Sequence, residues 1–279
     1  MKNAHAALKT AIASKGVDVP DGTKLTDMPA LVEQISTEPV PTNPRAVFSY
    51  DSSTSIVVPK MMVVDMTAVT DLSYSFAYCA VTSLSLPAGF GQNATNINSC
   101  FIGCRNLTPL LLPAGFGQVA INLYGCFLSC RSLTQLAIPA GFGQNAIYIH
   151  YCFSGCTSLT SLTLPTGFGQ AAQYAQSCFG ECTSLTSLTL PTGFGQKVIN
   201  LSNCFAKCTA LKTITGNPNF KVSFSLSDST QLTHDSLMVI INGLQTVTST
   251  QTLTLGSTNL AKLTEADKQI ATDKGWTLA

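Results

Sequence analysis

The chain has 279 residues, of which only 10% are charged, and its 15 Lys and Arg against 14 Asp and Glu leave a net charge of +1. Nucleic-acid-binding proteins usually carry a basic excess, so this composition excludes that class. With 45% hydrophobic residues the chain can bury a core, yet no apolar run approaches the roughly 18 residues of a membrane span, so no membrane insertion is predicted.

Three segments precede the main part of the chain. Residues 1–36 are predicted to form short helices that attach the chain to a larger assembly, because their apolar residues recur at helical spacing. Residues 37–45 are rich in proline and are interpreted as a stiff linker. Residues 46–71 carry strand-like apolar runs and are predicted to cover an open sheet edge as a β N-cap. The start of the chain shows no secretory signal, which predicts synthesis in the cytoplasm.

A regular repeat occupies residues 72–215. The motif Gly-Phe-Gly-Gln begins at Gly89 and returns every 26 residues up to Gly193. Two series of cysteines, one beginning at Cys100 and one at Cys104, keep the same spacing. With an imperfect copy near Ser73 there are about six repeats. Because one such unit cannot bury its own apolar side, the units are predicted to stack into a solenoid with a shared core.

Each repeat contains signals for strands and for a turn. In one copy Leu162 and Leu164 alternate with polar residues as in a half-buried strand, and Pro165 ends that strand. The glycines of Gly-Phe-Gly-Gln favour a turn. Seven variable residues follow each motif. Their second, third and fifth positions are mostly small or aliphatic and their fourth and sixth mostly polar or aromatic, which indicates a second short strand.

The repeat resembles the BspA-type leucine-rich repeat and the related mycoplasma-type surface repeat, because all share the order Phe-x-x-Cys-x-x-Leu-x-x-Leu. The resemblance covers about residues 67–215, and the Gly-Phe-Gly-Gln insertion and the cysteine before Phe depart from the family pattern. It implies a solenoid with two strands in each repeat and a role in adhesion or surface display. We therefore expect a mainly β leucine-rich-repeat fold of about six 26-residue rungs, with a small helical N-terminal segment and an α+β C-terminal cap.

The C-terminal residues 216–279 leave the repeat pattern and are predicted to form the mixed α/β cap. Thr233 is suited to cap a helix, and Thr264 is suited to begin another. Residues 8–23 and 253–276 resemble segments of virion and tail-associated proteins of phages and prophages from gut bacteria. That resemblance implies that residues 1–45 mediate virion assembly or homo-oligomerisation.

The eleven cysteines leave three interpretations open. Free cysteine packs as a small hydrophobe, which favours buried and reduced columns. Disulfides between repeats are disfavoured, because stacked strands about 4.8 Å apart exceed the usual Cβ separation of a disulfide. Neighbouring cysteine pairs contain the four thiolates of a structural zinc site, so a zinc-binding repeat protein stays an alternative. No resident metal or cofactor is predicted.

The variable residues predict a binding face. Their fourth and sixth positions form two adjacent outward columns rich in Tyr and Asn, residues typical of adaptable recognition surfaces. With the neighbouring Tyr151, the predicted ligand-binding residues are Asn96, Asn98, Asn122, Tyr124, Tyr148, His150, Tyr151, Tyr174, Gln176 and Asn200. The alternative is that these side chains only solvate and stabilise the surface. The expected partner is a bacterial surface protein or carbohydrate, and not nucleic acid.

The repeats carry few charged residues and no paired carboxylates, so no enzyme activity is predicted. The leading hypothesis is a non-enzymatic virion or tail-associated phage or prophage protein that binds a bacterial surface glycan or protein. Its alternatives are a secreted BspA-like surface adhesin, which requires an export signal, and the structural zinc protein. The predicted location is accordingly the virion, the cell surface or the extracellular space.

Overall fold

A computed structural model describes residues 55–57 and 69–279. The predicted helices of residues 1–36, the linker at 37–45 and most of the predicted N-cap at 46–71 lie outside the described residues. In the part of the chain that is described, no helix is long and apolar enough to cross a membrane.

One side of the stacked repeats is built from short parallel strands in register. These strands are β1 (Ser55–Val57), β2 (Ser83–Ser85), β3 (Leu110–Leu111), β4 (Leu136–Ala137), β5 (Ser161–Thr163), β6 (Ser187–Leu190) and β7 (Thr213–Gly216). They form two sheets, ordered β1–β2–β3–β4 and β5–β6–β7. Leu162 pairs with Leu188, which pairs with Ile214, and all three are buried. The 26-residue period of the sequence is thus the register of the sheet.

On the opposite side, the predicted second strand is present only as a column of single-residue bridges, from Asp71 to Asn200. In the first of these repeats the preceding turn extends to Ala94, whose N donates a hydrogen bond to Gly91 O. Ser99 has a left-handed backbone with φ 53°, which a strand does not tolerate. Only the few residues between Ala94 and Ser99 can therefore be extended. The alternation groups the third variable position with the aliphatic positions of the strand, but the structure shows its side chains facing outward. Ile121 is 44% exposed and Ile199 is 54% exposed.

Two columns of phenylalanine rings run through the core. The first contains Phe76, Phe101, Phe127, Phe153, Phe179 and Phe205, with successive ring centroids 5.3 to 5.8 Å apart. The second contains the phenylalanines of Gly-Phe-Gly-Gln, namely Phe90, Phe116, Phe142, Phe168 and Phe194, and continues to Phe220 with spacings of 6.0 to 6.3 Å. The sequence indicates the turn at this motif but not the burial of its ring.

The cysteines belong to the same core, and all eleven are free and buried. In the cysteine series that begins at Cys104, each Sγ donates a hydrogen bond of 2.9 to 3.2 Å to a phenylalanine backbone carbonyl oxygen. The donors are Cys104, Cys130, Cys156, Cys182 and Cys208. A donating thiol is protonated, and burial raises the pKa of Cys156 to about 12. No cluster of potential metal ligands is found among the described residues.

Residues 217–279 cover the last repeat. They form helices α1 (His234–Asn242), α2 (Gly256–Leu260) and α3 (Glu265–Asp273), and strands β8 (Phe224–Ser225), β9 (Gln251–Thr254) and β10 (Trp276–Leu278). The three strands pair in parallel in the order β10–β9–β8. Thr233 caps α1 by accepting a hydrogen bond from Ser236 N. Thr264 forms a capping box with Asp267 at the start of α3.

Two contacts attach this segment to the repeats. Ser236 Oγ accepts a hydrogen bond of 3.0 Å from Ile214 N and so fixes α1 against β7. Phe220 is the second contact, because its ring extends the second phenylalanine column. Within the C-terminal segment, Trp276 is 2% exposed, and its Nε1 donates a hydrogen bond of 2.8 Å to Gln245 O. The apolar core therefore continues from the repeats into the C-terminal segment.

Candidate binding face

The candidate site lies on the side of the repeats that carries the single-residue bridges. Three columns of residues form this binding face, at the fourth, sixth and seventh variable positions. The fourth position gives the bridge column, which consists of Asp71, Asn96, Asn122, Tyr148, Tyr174 and Asn200. The other two columns follow it by two and three residues in every repeat.

Asparagine has a structural role in the bridge column. Oδ1 of Asn96, Asn122 and Asn200 accepts a hydrogen bond of 3.0 to 3.1 Å from the backbone N–H two residues later. Asp71 Oδ1 accepts the equivalent bond at 2.8 Å. Such an Asx turn satisfies a backbone donor locally. Three asparagines that the sequence suggests as ligand-binding residues therefore stabilise the backbone of their own repeats.

Tyr148 and Tyr174 interrupt this pattern in two neighbouring repeats. A tyrosine side chain carries no acceptor at the position of the asparagine Oδ1, so the turn's hydrogen bond is missing in both repeats. A hydrogen bond of this kind contributes about 0.5 to 1.5 kcal/mol to stability. Departures from a local rule that the rest of the structure obeys are expected at functional positions.

Asparagine in place of both tyrosines is expected to restore the two turns. The Tyr148→Asn/Tyr174→Asn variant should exceed Tyr148→Ala/Tyr174→Ala in free energy of unfolding by about 2 kcal/mol. Both variants lose the rings, but only the asparagine variant regains two hydrogen bonds. Urea denaturation of the two proteins side by side measures the difference. Equal stabilities would contradict the structural role assigned to the asparagine side chain.

A second local preference is overridden at the seventh variable position. The backbone there is left-handed, with φ 55° at Gly125 and 57° at Asn203, residue types that tolerate this conformation. Tyr74 and Tyr151 occupy the same position with φ 59° each. A bulky side chain in this region costs about 1 to 2 kcal/mol. The same conformation also occurs at Ser99 and Ser177, and at Tyr78, Glu181 and Lys207 outside the three columns, so it is a property of the repeat.

His150 lies at the centre of the tyrosines on this face. Four ring centroids lie 4.5 to 6.3 Å from that of His150, those of Tyr124, Tyr148, Tyr151 and Tyr174. Tyr148 and Tyr174 stack on each other, with centroids 5.3 Å apart and ring planes 11° apart. Burial lowers the pKa of His150, so its imidazole is neutral near pH 7. Among the described residues, His150 Nδ1 and Gln176 Oε1 are buried without a hydrogen-bond partner.

An open groove of about 460 Å³ lies beside this ring cluster. Its lining residues are Tyr74, Asn98, Asn122, Tyr124, Tyr148 and His150. Five of them are predicted site residues, whereas Tyr74 is missed because the first repeat is imperfect. Its signal in the sequence is that it occupies the position of Tyr151.

The other predicted residues lie around or away from the groove. Tyr151 and Tyr174 belong to the ring cluster, and Gln176 O accepts a hydrogen bond from Tyr151 N. Asn96 donates from Nδ2 to Asp71 Oδ1 and does not line the groove. Asn200 lines a separate depression of about 270 Å³ beside the C-terminal segment. The structure therefore brings together most, but not all, of the predicted site.

The groove lining consists of uncharged side chains, which are aromatic rings and amide groups. None of its six lining residues is Asp, Glu, Lys or Arg. The exposed ion pair between Lys207 and Glu181, at 2.7 Å, is formed by residues outside the groove lining. Stacking and hydrogen bonding are the interactions that this surface provides.

The sequence and the fold were compared with known protein families and solved structures, and a family model matches the chain. Residues 67–211 and 120–245 match the BspA type leucine rich repeat region, in six copies. A leucine rich repeat protein of T. pallidum has a similar fold, with a TM-score of 0.50 and 22% identity over 68% of this chain and 83% of that chain. A leucine-rich repeat protein from Bacteroides ovatus is 16% identical, with a TM-score of 0.35 over 74% of this chain and 63% of that chain. No curated protein matches the sequence significantly.

The family match extends over more than half of the sequence, and it includes the repeats that carry the binding face. The phenylalanine, cysteine and leucine positions that define the repeat are those that form its buried columns. The chain belongs to the BspA-type leucine-rich repeat family.

Proposed function

We propose that this chain is a non-enzymatic binding protein whose solenoid presents the binding face to a ligand on a bacterial surface. The observation that carries the proposal is the replacement of turn-forming asparagine by Tyr148 and Tyr174, at a cost in local hydrogen bonding. Tyr74, which lines the groove, and Tyr151, whose ring lies near that of His150, add two further rings to the same face. A stack of repeats suits this role, because it exposes a long continuous surface.

The proposed setting is a phage or prophage particle, with residues 1–45 as the attachment segment. Its support is the resemblance of residues 8–23 and 253–276 to segments of virion and tail-associated proteins. Mass spectrometry of purified particles is expected to detect the protein. Detection in the secreted or cell-surface fraction of the bacterium, and not in particles, would instead support a BspA-like surface adhesin that uses the same face.

Removal of two rings tests the binding role. Fluorescently labelled protein is mixed with a panel of gut bacteria and measured by flow cytometry. Tyr148→Ala/Tyr174→Ala is expected to weaken binding by at least about tenfold, because aromatic residues dominate binding energy at recognition surfaces. The free energy of unfolding should fall by only about 1 kcal/mol, since Tyr148 is 40% exposed and the main loss is one stacked pair.

The matched control is Leu111→Ala, which removes a side chain that is 68% exposed on β3, in the strands on the other side of the repeats. It should bind like the unmodified protein. A loss of several kcal/mol in the double tyrosine variant, with unchanged binding per folded molecule, would assign the rings to the fold and overturn the proposal.

A further inference from the structure

An accessible aromatic ring borders the groove. Tyr174 stacks on one face of the Tyr148 ring, and Asn122 precedes Tyr148 in the bridge column on the other side. Tyr148 is 40% exposed and lines the groove, whereas Tyr174 does not line it. Tyr74, which belongs to the first repeat and is 39% exposed, also lines the groove. A flat ligand ring can pack against such a ring.

Two amide donors accompany this ring. Asn122 Oδ1 is occupied by Tyr124 N at 3.0 Å, and Asn98 Oδ1 by Ser99 Oγ at 2.8 Å. Their Nδ2 groups have no hydrogen-bond partner among the described residues, and both asparagines line the groove. The occupied oxygens fix the orientation of the amides, so each presents its NH₂ as a donor.

On this basis, and resting on the proposed function, we infer that the groove binds a neutral carbohydrate. A pyranose ring packs against the exposed part of the Tyr148 ring, and its hydroxyl oxygens accept hydrogen bonds from Nδ2 of Asn98 and Asn122. The groove is open to solvent, and its volume of about 460 Å³ is large enough for one pyranose ring.

A protein partner fits this groove less well. Tyrosine rings alone would also suit a protein interface, so the distinction rests on the two amide donors, which match the hydroxyl oxygens of a sugar. Addition of a partner strand is blocked, because Asn122 pairs with Asn96 on one side and with Tyr148 on the other. Neutral hydroxyl-rich ligands match both the exposed ring and the amide donors.

Treatment of the bacterial surface separates carbohydrate from protein. Cells that bind the labelled protein are either oxidised with metaperiodate, which cleaves sugar diols, or digested with proteinase K. Periodate is expected to abolish binding and protease to leave it. Loss after protease with retention after periodate would overturn the carbohydrate inference while leaving the proposed function intact. Absence of binding to every bacterium tested would overturn the proposed function and this inference with it.

One atom can be tested with a matched control. Asn122→Asp keeps the Oδ1 acceptor of the Asx turn, as Asp71 shows, but removes the Nδ2 donor. We expect about tenfold weaker binding to the same cells at unchanged thermal stability. Asn106→Asp introduces the same charge at an exposed position outside the three columns and should bind like the unmodified protein. Equal binding by both variants, or equal loss in both, would overturn the role of Asn122.

Discussion

Gly143→Ala is expected to lower the free energy of unfolding by about 3 to 5 kcal/mol. Gly143 is the second glycine of a Gly-Phe-Gly-Gln motif and has φ 66°. A Cβ added there would lie 2.7 Å from Cδ2 of Phe168 and 2.8 Å from Cδ1 of Leu123. Both side chains are fully buried, so neither can move without displacing the core. Chemical denaturation monitored by circular dichroism measures the loss.

Gly141→Ala is the matched control within the same motif. Gly141 has φ 79°, so alanine is strained there too, but its nearest contact is Cγ of the flexible Gln118 side chain at 3.2 Å. This variant is expected to lose only about 1 to 2 kcal/mol. A similar loss in both variants would show that the conformation, and not the approach of the next repeat's phenylalanine, requires the second glycine.

The second large effect concerns the thiols. We expect none of the eleven cysteines to react with iodoacetamide in the folded protein, and all eleven to react in guanidinium chloride. The thiolate is the reactive form, and a pKa of about 12 leaves Cys156 roughly a thousandfold less ionised than an ordinary thiol. Burial acts in the same direction on Cys152 and Cys178. Intact-mass spectrometry counts the adducts in each state.

Ser161→Cys provides the positive control, because Ser161 is exposed on β5 and a thiol there should add one adduct to the folded protein. Rapid labelling of several native cysteines would contradict the buried columns. A mass lowered by two hydrogens for each pair of cysteines would show disulfides in place of free thiols.

The period of the sequence was sufficient to predict the stacking register. Because every landmark returns after 26 residues, the pairing of Leu162 with Leu188 follows from the repeat alone. The burial of Phe168 could not be predicted in this way. Local turn signals describe Gly-Phe-Gly-Gln within one repeat, whereas the space for the Phe168 ring is provided by Gly143 of the preceding repeat.

The candidate site was predictable in outline only. Alternation placed Tyr148 and Tyr174 on an outer face, and both are there. It treated Asn96 and Asn200 as equivalent to them, because a side chain's hydrogen bond to its own backbone leaves no mark in an apolar–polar pattern. The distinction between turn-forming asparagines and the tyrosines that lack this hydrogen bond required the distances of the structure.

The proposed role of Tyr148 and Tyr174 is to replace structural asparagines with rings that bind a ligand. Its most direct test is bacterial cell binding by the Tyr148→Asn/Tyr174→Asn variant, measured on protein whose free energy of unfolding is within about 1 kcal/mol of the unmodified chain. We expect a folded protein that binds at least about tenfold more weakly. Full binding by this folded variant would contradict the proposed role.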